Sequence, residues 1–203
     1  YLSYRPTNAI QLRAGKMRQP LYMYSDYQEL GYAQPWARAP DVIYGPSLSS
    51  YMGADAMYTH NLDGSSLVGQ LFYGFSEEEA QGTVVDVRNS GGVTLAWTDY
   101  VWTLRGVVST SELTLSSAGL PPVDEEDAMY LGLGISYDDG SWQIISEAAR
   151  VEVDGYFTDF DSAYLSVGHR FGDFTPYVVA GMTESKDDGE RGPMFGPALN
   201  KER

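Results

Sequence analysis

The sequence predicts an all-β fold, a transmembrane antiparallel up-and-down β-barrel, and three observations lead to that prediction. Apolar and polar residues alternate over stretches of about 10 to 15 residues, which is longer than most strands of globular sheets. Asp-Gly and related turn signals separate successive stretches. Aromatic residues collect near the ends of the stretches, where the interfacial girdles of such a barrel lie.

The composition restricts the class of protein. The chain has 203 residues and a formal net charge of −15, which argues against a nucleic-acid partner because phosphate contacts need concentrated Lys and Arg. Cysteine is absent, so no disulfide can form. No apolar run approaches the roughly 18 residues of a transmembrane helix. We expect a single β-barrel domain over residues 1–203 that is a piece of a longer chain, because Tyr1 falls in the middle of a predicted strand.

About nine strands are predicted after a strand end at residues 1–5. The cleanest alternation lies in residues 128–137, where leucine and isoleucine oppose glycine and serine. The predicted strands are Asn8–Arg18, Ser49–Asn61, Ser65–Phe75, Thr83–Trp97, Val101–Leu115, Ala128–Tyr137, Ser141–Val153, Phe157–Phe171 and Phe174–Glu184. Short turns join alternate pairs, as in outer-membrane barrels, although Asp154-Gly155 is short where that pattern expects a long loop.

Two acidic stretches, Ser76–Gln81 and Ser116–Asp127, are predicted to be loops. Charge runs are usually solvated surface, and that is the favoured interpretation. The functional alternative is a divalent-cation bridge to lipopolysaccharide phosphates. The run Asp124–Asp127 lacks the spacing and the glycine of an EF-hand, so a specific calcium site is not predicted.

The long connection Gln19–Pro46 is the most distinctive part of the chain. It contains five tyrosines, one tryptophan, four prolines and three carboxylates. Connections of this length inside a β domain are usually functional. We therefore predict a constriction loop over residues 19–46 that folds inward against the barrel wall. Its candidate residues are Asp26, Glu29, Trp36, Arg38 and Asp41.

Several cations lie on predicted strands, where hydrocarbon would cost each of them about 2–4 kcal/mol at the bilayer centre. We predict that they line the pore and face the acids of the constriction loop, and a basic pore wall selects anions. The pore-lining candidates are Arg13, Lys16, Arg18, Arg105 and Arg150. Lys16 and Arg18 share a strand face, and Arg13 joins them only if the strand bulges at Gly15. The alternative is that each cation pairs with a carboxylate inside the barrel or extends to the membrane interface.

Enzymatic motifs are absent from the sequence. His60 and His169 form no His-x-x-x-His or Glu-x-x-His pair, and neither lies beside a serine. There is no Gly-x-Ser-x-Gly elbow and no phosphate loop. We predict no catalytic residue, no metal and no cofactor.

The segment after the first full strand resembles the porin superfamily of Gram-negative outer membranes. The resemblance rests on Leu12–Leu21, Tyr24-Ser-Asp26, Gly31-Tyr32, Pro35–Pro40 and Val42-Ile-Tyr44, and beyond Pro46 it is one of pattern. It is similar to a porin-like group without a well-defined substrate. The resemblance implies a longer, 16-stranded barrel, so that the domain over residues 1–203 is incomplete at both ends. It also implies contact with membrane lipid and lipopolysaccharide, and a homotrimer in the cell outer membrane.

These observations favour a porin, a passive diffusion channel for small hydrophilic solutes, with anions as the favoured class. The main alternative is a soluble or surface β-sandwich, whose alternation and turn spacing look similar. Such a protein would bind carbohydrate on a stacking platform of Tyr22, Tyr24, Tyr27, Tyr32 and Trp36. A third possibility is a barrel with a structural or secretion role and no conductance.

Overall fold

A computed structural model describes residues 1–25, 36, 39–44, 50–80, 83–117, 123–155 and 159–186. These ranges contain ten strands and one helix, α1, of four residues (Asp41–Tyr44). The strands are β1 (Leu2–Tyr4), β2 (Ile10–Met17), β3 (Tyr51–Leu62), β4 (Ser65–Ala80), β5 (Thr83–Thr98), β6 (Trp102–Ser117), β7 (Val123–Asp138), β8 (Trp142–Val153), β9 (Phe160–His169) and β10 (Tyr177–Ser185).

All ten strands belong to one sheet whose spatial order follows the chain. Every neighbouring pair is antiparallel, so the predicted all-β, up-and-down architecture is confirmed. The strand count is ten rather than nine because residues 2–4 pair with β2. Within the described ranges the sheet is open, with β1 and β10 at its edges. No helix in the same ranges has the length and apolar character needed to cross a membrane.

The two acidic stretches are mainly strand, and the prediction that they are loops is wrong for most of their length. β4 continues to Ala80, and Glu77 on it pairs with Asp86 of β5. Likewise β6 extends to Ser117 and β7 begins at Val123. Register shifts interrupt the pairing near Gly74 but do not end it, so the strands grow to 16 residues. That exceeds the roughly 9–11 residues a strand needs to cross a bilayer.

The sheet has two chemically different faces, which we call inner and outer. Side chains alternate between them along each strand, and residues directly opposite on neighbouring strands share a face. On β9 the burial pattern alternates accordingly, with Tyr164 and Ser166 buried on the inner face and Leu165 exposed on the outer one. The end of the sheet from which residues 18–50 leave is called the excursion end, and the opposite one the turn end.

A hydrogen-bonded turn joins β7 to β8 at the turn end. The Asp139 carboxylate accepts hydrogen bonds from the backbone N–H groups of Trp142 and Ser141, at 2.7 and 2.8 Å. These bonds favour the charged carboxylate, and they hold the pKa of Asp139 below its ordinary value. The stabilisation is therefore present above the ordinary carboxyl pKa and is lost as the pH falls through the lowered value of the folded state.

We expect D139N to lower the thermal midpoint at about pH 7, and we expect this difference to shrink as the pH falls, because the wild-type carboxyl then takes up a proton and loses the same stabilisation. Melting curves of both proteins at about pH 7 and at about pH 2 test this. A difference between the proteins that is as large at about pH 2 as at about pH 7 would contradict it.

Candidate functional site

Part of the long connection packs on the inner face of the sheet. We call residues 19–25, 36 and 39–44 the docked segment. Its apolar side chains are buried together with side chains from the inner face of six strands, β2, β3, β4, β6, β8 and β9. The buried members from the docked segment are Leu21, Tyr22, Trp36, Ile43 and Tyr44, and those from the sheet are Met17, Tyr51, Phe72, Val107, Ile145, Ala149 and Tyr164. The larger of the two buried apolar clusters in the described residues thus lies between the segment and the sheet.

Three residues of one row across the sheet form the central attachment. Arg105 on β6, Gly134 on β7 and Glu147 on β8 are directly opposite one another in the register. The Arg105 guanidinium donates to the carbonyl oxygen of Leu21 at 3.0 Å and to that of Pro20. Gly134 leaves space over the sheet, because a Cβ added to it would lie 3.2 Å from the Cε of Met23. The row therefore fits the backbone of residues 20–23 closely.

Glu147 is the most heavily used acceptor of the attachment. Its carboxylate accepts the hydroxyls of Tyr44 at 2.5 Å and Tyr164 at 2.6 Å, and the backbone N–H of Met23 at 2.8 Å. The residue is only 5% exposed. Hydrogen bonds to an ionised acceptor are roughly twice as strong as neutral ones, and a buried carboxylate needs them. Glu147 therefore holds the docked segment at two points far apart in sequence, Met23 and Tyr44.

Further hydrogen bonds attach the docked segment on either side of that row. Gln19 donates from its amide nitrogen to the Ser90 hydroxyl on β5 at 3.0 Å. Trp36 is 2% exposed and donates from its indole nitrogen to the Ser166 hydroxyl on β9 at 2.8 Å. The small polar residues of the inner face thus receive the polar atoms of the segment, as buried polar groups require.

A second charged group lies on the inner face beside the attachment. Arg13 on β2 makes a bidentate pair with Asp55 on β3, with nitrogen–oxygen distances of 2.5 to 3.1 Å. The Asp55 side chain has no exposed surface, and that of Arg13 is 11% exposed. Asp55 also accepts from the Gln70 amide at 2.9 Å. The Arg13 charge is therefore neutralised locally.

The five cations predicted to line one wall do not share a face. Arg13 and Arg105 lie on the inner face, and Arg18 follows the end of β2. Lys16 pairs with Met52 and lies on the outer face, and Arg150 pairs with Leu131 on the same outer face. The prediction of a common face is wrong for Lys16 and Arg150. Residues an odd number of positions apart on a regular strand face opposite sides of the sheet. The β2–β3 register runs from residue 10 to residue 17 without a shift, so Lys16 faces away from Arg13.

Gly15 is therefore not a bulge, although it has a φ of +129°, a value that favours glycine. Arg150 forms a bidentate pair with Asp161 on the outer face, at 2.7 and 2.9 Å. That pairing is the alternative considered for strand cations, but on the face opposite to the expected lumen.

Two of the five residues predicted for the constriction loop are described. Trp36 is buried against the inner face, and Asp41 is exposed at the first residue of α1. Asp26, Glu29 and Arg38 lie outside the described residues.

Sequence reasoning missed the two buried carboxylates, Asp55 and Glu147. The sequence did contain a signal for them. Each lies within a strand rather than a turn, at a position that the alternation of the strand assigns to the inner face. Within the described ranges, no three His, Asp or Glu side chains lie close enough together to hold a metal ion.

The outer face carries an exposed apolar band that crosses the strands obliquely. On β4 the band runs from Leu67 to Phe75, about nine residues, and the first charge beyond it is Glu77. A row of directly opposite residues crosses the sheet from Leu71 of β4 to Glu184 of β10, and Glu184 is already charged. The upper edge of the band has thus shifted by about six residues over six strands.

The lower edge of the band is aromatic and shifts in the same direction. The row that contains Tyr58 on β3 reaches Ala148 on β8, whereas the aromatic residue at the lower edge of β8 is Trp142, six residues away. A slope of about one residue per strand, with about 3.3 Å per residue and about 4.8 Å between strands, gives a strand tilt of about 35°. Strands of transmembrane barrels are tilted by about 35–45°.

No protein-family model matches the chain, and no curated protein matches it either. Among solved structures, it is similar to the outer-membrane expressed OmpT of Vibrio cholerae, with 13% sequence identity and a TM-score of 0.33. The match covers 88% of this chain and 68% of that one.

Proposed function

We propose that the chain forms part of the wall of a β-barrel in a Gram-negative outer membrane, with its outer face against lipid. The oblique apolar band carries the proposal. It is about nine residues high, bounded below by aromatic rings and above by charges, and inclined at the angle that barrel strands take to a bilayer. A water-soluble sheet has no reason to keep such a band exposed.

The proposed activity is that of a porin, passive diffusion of small hydrophilic solutes through the lumen. The support is the chemistry of the inner face, where serine, threonine, glutamine and carboxylate side chains alternate with the outer apolar ones. The docked segment lies on this face and would narrow the lumen, which makes it the proposed constriction. The homotrimer remains a prediction from the resemblance.

The charges of the inner face modify the expected selectivity. Arg13 is neutralised by Asp55, and Arg105 is occupied by two carbonyl oxygens of the docked segment. Neither is a bare positive charge on the lumen wall. We therefore propose that anion preference, if present, is weak, and that the described wall supplies shape more than charge.

The carbohydrate-binding alternative has less support. A sandwich needs two sheets, whereas the described strands form one. Tyr22 and Trp36, two of the proposed stacking residues, are buried against the inner face and offer no ring to a sugar. Tyr27 and Tyr32 lie outside the described residues.

Single-channel recording in a planar bilayer with a salt gradient tests the channel proposal. Discrete conductance steps are the expected result, with a reversal potential close to that of an unselective pore. A detergent-requiring protein without steps would contradict the channel and leave a structural or secretion barrel. A protein that stays in solution without detergent would overturn the membrane proposal as well.

A matched pair of arginine substitutions tests the apolar band. Leu133 is 63% exposed in the middle of the band, and Thr110 lies on the same outer face near its upper edge. We expect L133R to lower the free energy of unfolding in lipid vesicles by about 2–4 kcal/mol, and T110R by about 1 kcal/mol or less. Denaturant titration of both variants measures this. Equal effects would mean that Leu133 does not face hydrocarbon.

A further inference from the structure

Lys16 occupies a position that the proposed channel does not explain. It lies on the outer face in the same row as Met52 and Phe75, both exposed residues of the apolar band. Its side chain makes no ion pair with any described residue, in contrast to Arg150 on the same face. A lysine among apolar residues at the top of the band needs an anion within reach or a path to the headgroups.

An apolar groove begins in the row below Lys16. Three alanines and one leucine of β2 and β3 form its floor, while well-exposed larger side chains of β1 and β4 form its walls. The floor is Leu12, Ala14, Ala54 and Ala56, and the walls are Leu2, Tyr4, Leu71 and Tyr73. The cavity has a volume of about 560 Å³. It is open to the outside and lies within the height of the apolar band.

We infer that this groove binds one acyl chain of an anionic lipid whose phosphate pairs with Lys16. The inference rests on the proposed membrane location. Lys16 and Ala14 are successive outer-facing residues of β2, and Ala14 lies directly opposite Ala54 of β3, so Lys16 stands at the headgroup end of the groove and the groove continues from there toward the bilayer centre. Charge complementarity selects an anionic headgroup, because the groove itself is apolar.

The shape of the groove supports a lipid chain more than a flat protein surface. In a bilayer the hydrophobic effect gives no preference for the groove over other lipid-facing surface, so occupancy depends on close packing and on the ion pair. Small alanine side chains beside large ones leave an elongated depression with room for an acyl chain. A cation near a membrane surface contributes about 1 kcal/mol to binding an anionic lipid, which corresponds to a factor of about five in affinity.

Native mass spectrometry of the full chain extracted from membranes tests the inference, with phosphatidylglycerol and phosphatidylcholine as the two probes. We expect the wild-type protein to retain phosphatidylglycerol in preference to phosphatidylcholine. K16Q should reduce the affinity for phosphatidylglycerol about five-fold and leave that for phosphatidylcholine unchanged. A54F, which fills the groove, should reduce the binding of both lipids.

The matched control is R88Q. Arg88 is another exposed cation of the outer face; it is not one of the residues that line the groove, and it is paired with Asp86. R88Q should behave as the wild type. Equal retention of the two lipids by the wild-type protein, or no effect of K16Q, would overturn the inference. A third outcome would also overturn the inference: the wild-type protein forms oligomers without bound lipid, and A54F dissociates them. The groove would then be the contact with a second copy of the chain. A protein that needs no detergent would instead contradict the membrane proposal itself.

Discussion

Replacing Glu147 by alanine is expected to release the docked segment from the inner face and to increase the conductance of the pore. Three donors lose their acceptor at once, namely the hydroxyls of Tyr44 and Tyr164 and the backbone N–H of Met23. Hydrogen bonds to charged groups contribute about 1.5–3 kcal/mol each, and buried donors left without a partner add a desolvation penalty. The expected loss of docking free energy is therefore about 3 kcal/mol or more.

Two measurements report on this release. Single-channel recording should show larger and noisier open levels in E147A, because the segment no longer occupies a fixed position in the lumen. Acrylamide quenching of tryptophan fluorescence should increase, because Trp36 is buried only while the segment is docked. E147Q should lie between the wild type and E147A, since an amide oxygen still accepts hydrogen bonds but carries no charge.

The control for these experiments is E152A on the same strand. Glu152 faces outward near the excursion end of β8, and its side chain does not contact the docked segment. E152A should leave conductance and quenching unchanged. If E147A has the same conductance as E152A, the segment is held in place without Glu147, and the assignment of Glu147 as its anchor fails.

The fold was predictable from sequence because its signals are local. Strict alternation, paired turn signals and terminal aromatic residues depend on neighbouring residues, and they predicted the strands and their antiparallel order. The positions of the strand ends were harder to predict from the sequence. Glu77 lies in an acidic run that is typical of a loop, yet it pairs with Asp86 of β5, because β4 continues past the apolar band as a charged strand.

The site was only partly predictable from the sequence. Most of the difference between the predicted and the observed site comes from which face of the sheet a residue occupies, which depends on whether its position along the strand is odd or even. Lys16 can share a face with Arg13 only through a bulge at Gly15, but β2 pairs with β3 without a shift, so the odd separation of the two residues places them on opposite faces. Glu147 gave no motif at all, because its partners come from positions 23, 44 and 164 and meet only after the segment has docked. Contacts of this separation are a property of the fold, and no local pattern encodes them.

The second large effect is expected at the Arg13–Asp55 pair. D55A leaves the Arg13 guanidinium without its carboxylate in a position that is 11% exposed, and it removes the acceptor of the Gln70 amide. Removal of one partner from a buried ion pair typically costs about 3–5 kcal/mol, much of it from the remaining uncompensated charge. We expect a loss of that size in denaturant titration of the protein in lipid vesicles.

Two comparisons give this prediction its specificity. D86A breaks the Arg88–Asp86 pair, whose arginine side chain is 67% exposed, and should cost about 1 kcal/mol or less. The double variant R13M/D55L removes both charges together and should recover most of the stability that D55A loses, because a well-packed apolar pair often replaces a buried ion pair without loss. Equal costs for D55A and D86A would mean that Asp55 is accessible to water.

The same variants connect stability to selectivity. D55A removes the negative charge of Asp55 beside Arg13 and so makes the inner face more positive, and the reversal potential in a salt gradient should shift toward anions. R13Q leaves Asp55 as an unpaired carboxylate and should shift it toward cations, while R13M/D55L should resemble the wild type. Opposite shifts in the two single variants require both side chains to face the conducting lumen. If neither single variant changes the reversal potential, the inner face of β2 and β3 does not line the ion pathway.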